Sequence, residues 1–333
     1  MRKGLIALAA AAAAVLAAVL IYDGVAEKEA QQTFFAMDTV CSLTLTGRDA
    51  PAAAEEIPAQ VTALETGLFS RQAAGSEAAQ LNRDGGGAVS AQLAQVLSAT
   101  WEISEKSGGA LDCTLGGVSD LWDFTGDPHV PSQAQLQAAL AHTGYRKLHL
   151  SETAVAYDDP AAVLDLGAVG KGAALDAVRE ALQGRRLRAG IVSLGGSILL
   201  LGRRTFTVGI KDPAGNEGDC LATMRLSDCC ISTSGSYERF FEENGERYHH
   251  ILDPATGLPV RNGLVSVTIV AQSGLVSDAL STACFVRGVE DGAALAAAFG
   301  CEAVFVAENG DVTVTDGLRA KLTVTNPDYR IVN

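Results

Sequence analysis

The chain has 333 residues, of which 48% are hydrophobic and 19% are charged, a composition typical of a globular protein with a sizeable core. The formal net charge of -14 argues against nucleic acid as a partner, because binding to phosphates requires clustered lysine and arginine. Seven cysteines occur without any CxxC pair, which argues against a zinc site and favours buried free thiols over disulfides.

The N-terminus begins with Met1-Arg2-Lys3 and continues as an apolar run from Gly4 to Tyr22. At about 1.5 Å per helical residue, this run is just long enough to cross a bilayer core of about 30 Å. We predict an uncleaved membrane anchor at 1–22, with a cleavable signal peptide as the alternative. Because the positive residues precede the run, the remaining chain is expected outside the cytoplasm, as a polar tether at 23–32 and a globular domain at 33–333.

The rest of the chain alternates between the periodicities of strands and helices without an obvious break between domains. Ser90 is a predicted N-cap, and Pro58 is predicted to break or kink an early helix. We therefore expect an α+β fold, with mixed sheets and packed helices. The predicted strands lie at 40–46, 145–150, 154–157, 189–201 with an internal turn, 206–210, 265–271, 303–307 and 312–315, and the predicted helices at 52–65, 90–104, 132–144, 173–182, 276–286 and 292–298.

A glycine-containing turn follows the apolar strand that ends at Asp165 and leads into a helix after Gly172. Glycines allow a ligand to approach the backbone, and a helix N-terminus favours anions. The spacing around Lys171 is not that of a Walker A loop, which has a Ser or Thr after its lysine. An ordinary strand-to-helix turn with a surface lysine is the alternative interpretation.

A second polar segment, from Ile231 to Arg239, places four hydroxyl side chains around Gly235 at the end of an apolar strand. These groups can donate to a phosphate or to the edge of a flavin, although a polar hairpin turn has the same composition. His249 and His250 follow, directly before an Asp-Pro turn. In an extended chain adjacent side chains point to opposite sides, so at most one of the two faces a given site.

Asp278 and Thr282 are four residues apart in a predicted helix and therefore lie on one face. A carboxylate and a hydroxyl at this spacing can bind Mg²⁺, which takes few protein ligands and completes its shell with water and phosphate. An aspartate near the helix start followed by a solvated threonine has the same spacing, so this pair alone leaves both interpretations open.

Taken in order, these segments resemble the ApbE family, the FAD:protein FMN transferases, which attach FMN through a phosphoester bond to a threonine of an extracytoplasmic flavoprotein. The resemblance runs from about residue 33 to about 288 and more weakly to the end. The motifs that carry it are Met37-Asp38-Thr39, Leu68-Phe69-Ser70-Arg71, Gly109-Ala110-Leu111-Asp112-Cys113-Thr114, the loop from Asp165 to Asp176, Leu194-Gly195-Gly196-Ser197, Gly209-Ile210-Lys211-Asp212-Pro213, Thr233 to Glu238, His249-His250-Ile251-Leu252-Asp253-Pro254, and Asp278 with Thr282.

The resemblance implies a two-lobed, T-fold-like catalytic domain with FAD as substrate and Mg²⁺ as cofactor. It implies His250 as the catalytic residue beside the FAD pyrophosphate. Mg²⁺ is expected at Asp278, Thr282 and a loop carbonyl, assigned to Gly170. The acceptor is expected to be a target flavoprotein with a Ser-Gly-Ala-Thr-like motif. The residues expected to bind FAD are Met37, Asp112, Lys171, Gly195, Thr233, Ser234, Gly235, Tyr237 and His250.

The chain departs from the family pattern in two motifs. Asp38 stands where the family usually has glycine, so a carboxylate enters a segment expected near FAD. In the glycine-containing turn, Ala168 replaces a glycine and Gly170 replaces the usual alanine, which leaves the backbone carbonyls in place. Two other functions stay open at this point: a Mg²⁺-dependent FAD pyrophosphatase that yields FMN and AMP, and a non-catalytic FAD-binding protein.

Overall fold

The computed structural model describes residues 27–216 and 218–333. The predicted anchor or signal peptide at 1–22 lies outside the described residues. Within the described ranges, no helix is both long and apolar enough to span a bilayer. Of the tether predicted at 23–32, the part from Lys28 onward is instead the start of a strand. Its residues pair in register with the next strand, with Lys28 opposite Gly47, and a tether prediction based on polarity missed this edge strand.

Across residues 27–216 and 218–333, the strands form one large sheet and three small ones. The nine-stranded central sheet has the order β1-β2-β6-β7-β10-β13-β14-β15-β17, and β8, β9 and β16 form a three-stranded sheet. The strands are β1 Lys28–Ala36, β2 Thr39–Gly47, β3 Gly86–Ala88, β4 Leu148–Leu150, β5 Ala154–Tyr157, β6 Leu187–Leu194, β7 Ser197–Leu201, β8 Phe206–Lys211, β9 Cys220–Leu226, β10 Cys230–Gly235, β11 Phe240–Glu243, β12 Glu246–His249, β13 Leu264–Ala271, β14 Glu302–Ala307, β15 Asp311–Val314, β16 Leu322–Val324 and β17 Arg330–Ile331.

The helices confirm the mixed character of the predicted fold. Ser90 and Ser132 each cap a helix as the sequence indicates, with their hydroxyls accepting from backbone amides three residues later. A five-residue π-helical turn at Glu65–Phe69 and a 3-10 turn at Tyr145–Lys147 complete the helical segments. The α-helices are α1 Ala50–Leu64, α2 Glu77–Asp84, α3 Ala91–Lys106, α4 Gly116–Trp122, α5 Gln133–Leu140, α6 Gly170–Leu182, α7 Gly274–Ala298 and α8 Asp316–Arg319.

One helix prediction, the break at Pro58, needs correction. Helix α1 runs through Pro58 without ending. Its buried stripe, which includes Ile57 and Val61, packs in the main core and compensates for the lost backbone hydrogen bond. The two separate helices predicted at 276–286 and 292–298 are confirmed, because α7 leaves helical geometry at Gly288, with a φ of 78° and a ψ of -174°, and consists of two helical segments that meet at this kink.

The central sheet is covered on both faces, because successive side chains of a strand point to opposite sides. In β14, Phe305 points into the main core with α1, α6 and α7, whereas Val304 and Val306 point into a second core against β8, β9 and β16. The two lobes expected from the sequence therefore share one sheet. All seven cysteines are free thiols, and all except Cys220 are buried, as predicted.

Candidate functional site

Asp278 lies at the centre of the site, on the first turns of α7, with only 5% of its surface exposed. Its Oδ2 accepts a hydrogen bond from the backbone N–H of Gly172 at 2.9 Å, and its Oδ1 accepts from Ser197 Oγ at 3.0 Å. The ammonium of Lys171 lies 3.7 Å from Oδ1. The glycine-containing turn, the β6–β7 turn and α7 therefore meet at one carboxylate.

The close approach of α6 and α7 depends on two glycines at their crossing. A Cβ atom added to Gly172 would lie 2.1 Å from the carbonyl oxygen of Gly274, and one added to Gly274 would lie 2.4 Å from the carbonyl oxygen of Gly172. Neither position can carry a side chain without separating the helices. The contact allows the Gly172 amide to reach Asp278.

A chain of buried hydroxyls leads away from Asp278. Ser197 donates to the carboxylate, Ser232 donates to Ser197 Oγ at 3.1 Å, and Ser277 Oγ lies 2.8 Å from Ser232 Oγ. All three serines are almost fully buried. Because the hydroxyl that reaches the carboxylate is itself a hydrogen-bond acceptor for Ser232, the chain fixes the orientation of the Asp278 side chain.

Thr282 lies one helical turn after Asp278 and faces β10. Its Oγ1 is 3.2 Å from Ser234 Oγ, which is also 2.7 Å from Ser281 Oγ. Thr233 points the other way along β10 and pairs with Thr268 across the sheet at 2.9 Å. The predicted neighbours Asp278, Thr282 and Ser234 are thus brought together, whereas the side chain of Thr233 belongs to a strand-to-strand contact.

His249 and His250 point to different environments, as expected for adjacent residues of a strand end. His249 is buried; its Nε2 donates to the Val260 carbonyl at 2.9 Å, and its Nδ1 accepts from the Ile251 amide. His250 is half-buried, and its Nδ1 donates to the Arg239 carbonyl at 3.2 Å. This bond leaves Nε2 of His250 as the ring atom with a lone pair, and within the described ranges Nε2 makes no hydrogen bond.

Burial lowers the pKa of His250 to about 4, and the positive charges of Arg239 and Lys171 act in the same direction. The ring is therefore neutral at pH 7 and can accept a proton at Nε2. Lys171 lies beside the Asp278 carboxylate, and its positive charge is a minor contributor to the lowered pKa of His250.

The β1–β2 turn forms one wall of the site through Met37 and Asp38, with φ angles of 53° and 55°. A two-residue hairpin turn of this type requires positive φ at both positions, and aspartate tolerates this conformation better than most residues. A Cβ atom at Gly170 would lie 3.5 Å from Met37 Cε, which places Met37 against the start of α6. The Asp38 carbonyl accepts from Arg239 Nη2 at 3.4 Å.

The other residues predicted to bind FAD are distributed unevenly. Gly195 has a left-handed φ of 61° in the β6–β7 turn and packs on Thr39, and the Tyr237 ring packs on Gly235. Asp112 makes none of its hydrogen bonds with this cluster. Its carboxylate accepts from Thr114 and from the Tyr145 amide, and burial raises its pKa.

The carbonyl of Gly170 does not point in the direction expected of a metal ligand. As the first residue of α6, Gly170 directs its carbonyl along the helix axis toward the amide of Ala174. Among the described residues, the carbonyl of Ala168 in the preceding turn accepts no hydrogen bond. The described ranges contain no group of three or more His, Cys, Asp or Glu side chains arranged for a metal.

Ser277 and Ser281 lie beside Asp278 and Thr282 but belong to none of the predicted motifs, although both are on the same helix as Asp278. Ser232 was predicted only as one of the four hydroxyls around Gly235. Ser232 comes from a separate strand, and only its burial in the structure reveals its contact with Ser197.

A family model described as the ApbE family matches residues 37–305. The chain belongs to the ApbE family. It is 36% identical over 279 residues to a FAD:protein FMN transferase from Treponema pallidum, an alignment that covers 76% of this chain and 77% of the relative.

Solved structures agree with this membership. The ApbE protein of Thermotoga maritima superposes with a TM-score of 0.80 at 31% identity, covering 87% of this chain and 98% of that one. The flavinyl transferase ApbE of Pseudomonas stutzeri gives a TM-score of 0.76 at 27% identity, covering 87% and 95%. The protein is thus a transferase with the mixed α/β fold of the ApbE flavin transferases, and FAD as substrate is consistent with these relatives.

Proposed function

We propose that this enzyme transfers the FMN part of FAD to a threonine hydroxyl of a target protein and releases AMP, with Mg²⁺ as cofactor. The observation that carries the proposal is the buried Asp278 carboxylate, which the Gly172 amide, Ser197 and Lys171 hold at the start of α6. The β1–β2 turn links this end of the site to His250, because Met37 lies against Gly170 and the Asp38 carbonyl accepts from Arg239, whose own carbonyl accepts from His250 Nδ1. A hard-cation ligand and a neutral histidine are thus joined through one turn, next to a helix N-terminus suited to phosphate.

The donor set fits Mg²⁺. Asp278 is a buried carboxylate with a hydroxyl one turn away on Thr282, and the Ala168 carbonyl in the adjacent turn is without a hydrogen-bond partner among the described residues. This small oxygen set matches an ion that keeps several water and phosphate ligands. When bound, Mg²⁺ would neutralise charge on the pyrophosphate. Ala168 replaces Gly170 as the proposed carbonyl ligand.

The chain's own residues then perform the proton and orientation steps. The threonine oxygen of the acceptor forms a new bond to the FMN phosphorus, and the bond between that phosphorus and the oxygen bridging to AMP breaks. Nε2 of His250 takes the threonine proton, while the Arg239 carbonyl holds Nδ1–H and fixes the ring. Lys171 stabilises the charge that develops on the phosphate oxygens.

The proposed acceptor comes from the family resemblance, and the proposed location comes from the N-terminal sequence. The target is proposed to be a flavoprotein with a Ser-Gly-Ala-Thr-like motif. The apolar run at 4–22, preceded by Arg2 and Lys3, supports a location on the outer face of the cytoplasmic membrane. Fractionation of cells after alkaline extraction tests this placement, because an anchored protein stays with the membrane and a cleaved, secreted form does not.

The function is tested by incubating the full-length protein with FAD, Mg²⁺ and a small domain that carries a Ser-Gly-Ala-Thr segment. We expect the intact mass of that domain to increase by one FMN, with one AMP released per adduct. The adduct should be absent with EDTA and when the acceptor threonine is replaced by alanine. Steady AMP release without an adduct would instead identify an FAD pyrophosphatase, and neither product would indicate an FAD-binding protein without this activity.

The pH dependence of transfer reports the state of His250. Because the neutral ring is the active form and its pKa is lowered from 6.5 to about 4, activity is lost only when pH falls through the lowered value. We expect kcat/KM for FAD, which reflects the free enzyme, to stay flat between about pH 8 and pH 5. An acid limb with its midpoint near 6.5 would contradict this, provided that circular dichroism shows a folded protein throughout.

A further inference from the structure

Helix α6 contacts the first turn of α7 through three residues on one stripe of its surface. Gly172, Asp176 and Arg179 are spaced by four and three residues and therefore lie on the same face. Gly172 makes the backbone contact with Gly274 described above, and Arg179 Nη1 donates to the Gln272 carbonyl. Asp176 lies between them.

The Asp176 carboxylate caps α7 from a different helix. Its Oδ1 accepts from the Gly274 amide at 2.6 Å, and its Oδ2 accepts from Ser273 Oγ at 2.6 Å and from the Leu275 amide at 3.0 Å. The first amides of a helix have no partner within the helix, and a negative charge is favourable there. Asp176 therefore fixes both the position and the rotation of the α7 N-terminus relative to α6.

The same two helices carry the proposed metal site. Asp278 lies one turn after Gly274, and Thr282 one turn further, while the glycine-containing turn leads directly into α6. Any shift of α7 along α6 changes the distances from Asp278 and Thr282 to the carbonyls of that turn. A metal that needs near-ideal octahedral geometry is sensitive to such a shift.

We propose that Asp176 is a positioning residue that sets the Mg²⁺ affinity of this site, an inference that rests on the proposed function. It acts through α7 and contacts neither substrate nor metal. Outer contacts that orient metal ligands are typically worth about 10- to 100-fold in metal affinity.

The chain offers a matched control for the purely structural effect of such a cap. Glu302 accepts from the Gly317 amide at 3.0 Å and from Thr315 Oγ1, and so caps α8 from a neighbouring strand. None of its hydrogen bonds within the described part of the chain involve the site. Loss of this carboxylate is expected to lower stability and to leave metal binding unchanged.

The experiment compares full-length wild type, Asp176→Asn and Glu302→Gln. Mg²⁺ is titrated into each protein at saturating FAD by calorimetry, and thermal unfolding is recorded in parallel. In Asp176→Asn, the side-chain NH₂ group must face one of the backbone amides that now donate to the carboxylate. We therefore expect this variant to raise the Mg²⁺ Kd by about tenfold or more. Its Kd for FAD without Mg²⁺ should stay within about threefold, and its kcat should recover at high Mg²⁺. Glu302→Gln should lower Tm with wild-type Mg²⁺ affinity.

An unchanged Mg²⁺ Kd in Asp176→Asn would overturn the proposal, whatever happens to Tm. If that variant does not fold, it is replaced by Ser273→Ala, which removes the hydroxyl donor to Asp176 and the bond that the same hydroxyl accepts from the Val276 amide. A smaller rise of the Mg²⁺ Kd is expected there, and a Kd identical to wild type together with a lowered Tm would show that the α7 cap affects stability alone and would overturn the proposal. Failure of the proposed function looks different: no FMN adduct with wild type, but weakened Mg²⁺ binding in Asp176→Asn, would leave the positioning role standing. Wild type that binds no Mg²⁺ would contradict both.

Discussion

Asp278→Asn is expected to lower the rate of FMN transfer on the order of 10³-fold, which corresponds to roughly 4 kcal/mol of lost transition-state stabilisation. The carboxylate accepts from the Gly172 amide and from Ser197, so an amide group must turn its NH₂ toward one of these donors. The charge opposite Lys171 is lost at the same time. The variant should bind Mg²⁺ poorly, and the measurement is kcat/KM for adduct formation across a Mg²⁺ titration.

Asp311→Asn is a suitable control for this exchange. Asp311 pairs with Arg330 at 2.9 Å on β15, with no contact to the site within the described ranges. The control should keep transfer within about twofold, since a surface ion pair contributes only about 0–1 kcal/mol. Transfer by Asp278→Asn at more than a tenth of the wild-type rate would show that Asp278 does not hold the metal.

The sequence was sufficient to predict positions that depend on local spacing. Asp278 and Thr282 are one turn apart on a helix, where Asp278 meets the Gly172 amide and Thr282 meets Ser234. The alternation of side chains along a strand also predicted that only one of His249 and His250 faces the site. Helical and extended periodicities are set by a few consecutive residues, so they do not depend on which distant segments pack nearby.

Residues whose roles depend on distant partners were not predictable in the same way. Asp176 caps a helix that begins almost a hundred residues later, and Ser197 reaches Asp278 from a strand turn. Gly170 was assigned from its motif, but the start of α6 directs its carbonyl along the helix. Asp112 was assigned in the same way, and its carboxylate accepts from the amides of Thr114 and Tyr145 and not from residues around Asp278. Motif position identifies a segment, whereas the fold decides which atom is available.

His250→Ala is expected to slow FMN transfer by about 10²- to 10⁴-fold, the usual contribution of a positioned general base. FAD binding should change by only a few-fold, because the missing group acts on the proton of the acceptor threonine. Single-turnover transfer at saturating FAD separates the two effects. Added imidazole should restore part of the rate, since it supplies the lost base in the space vacated by the side chain. A rate within a few-fold of wild type would remove His250 from the mechanism.

The neighbouring histidine makes this test unusually direct. His249 has both ring nitrogens engaged inside the protein, with the Val260 carbonyl and the Ile251 amide. His249→Asn should therefore lower stability by about 1–3 kcal/mol, through partners left unsatisfied, and leave the rate per folded enzyme nearly unchanged. Imidazole should not affect it. If His250→Ala loses transfer activity and His249→Asn loses only stability, the two variants distinguish a catalytic base from a histidine that is required for packing.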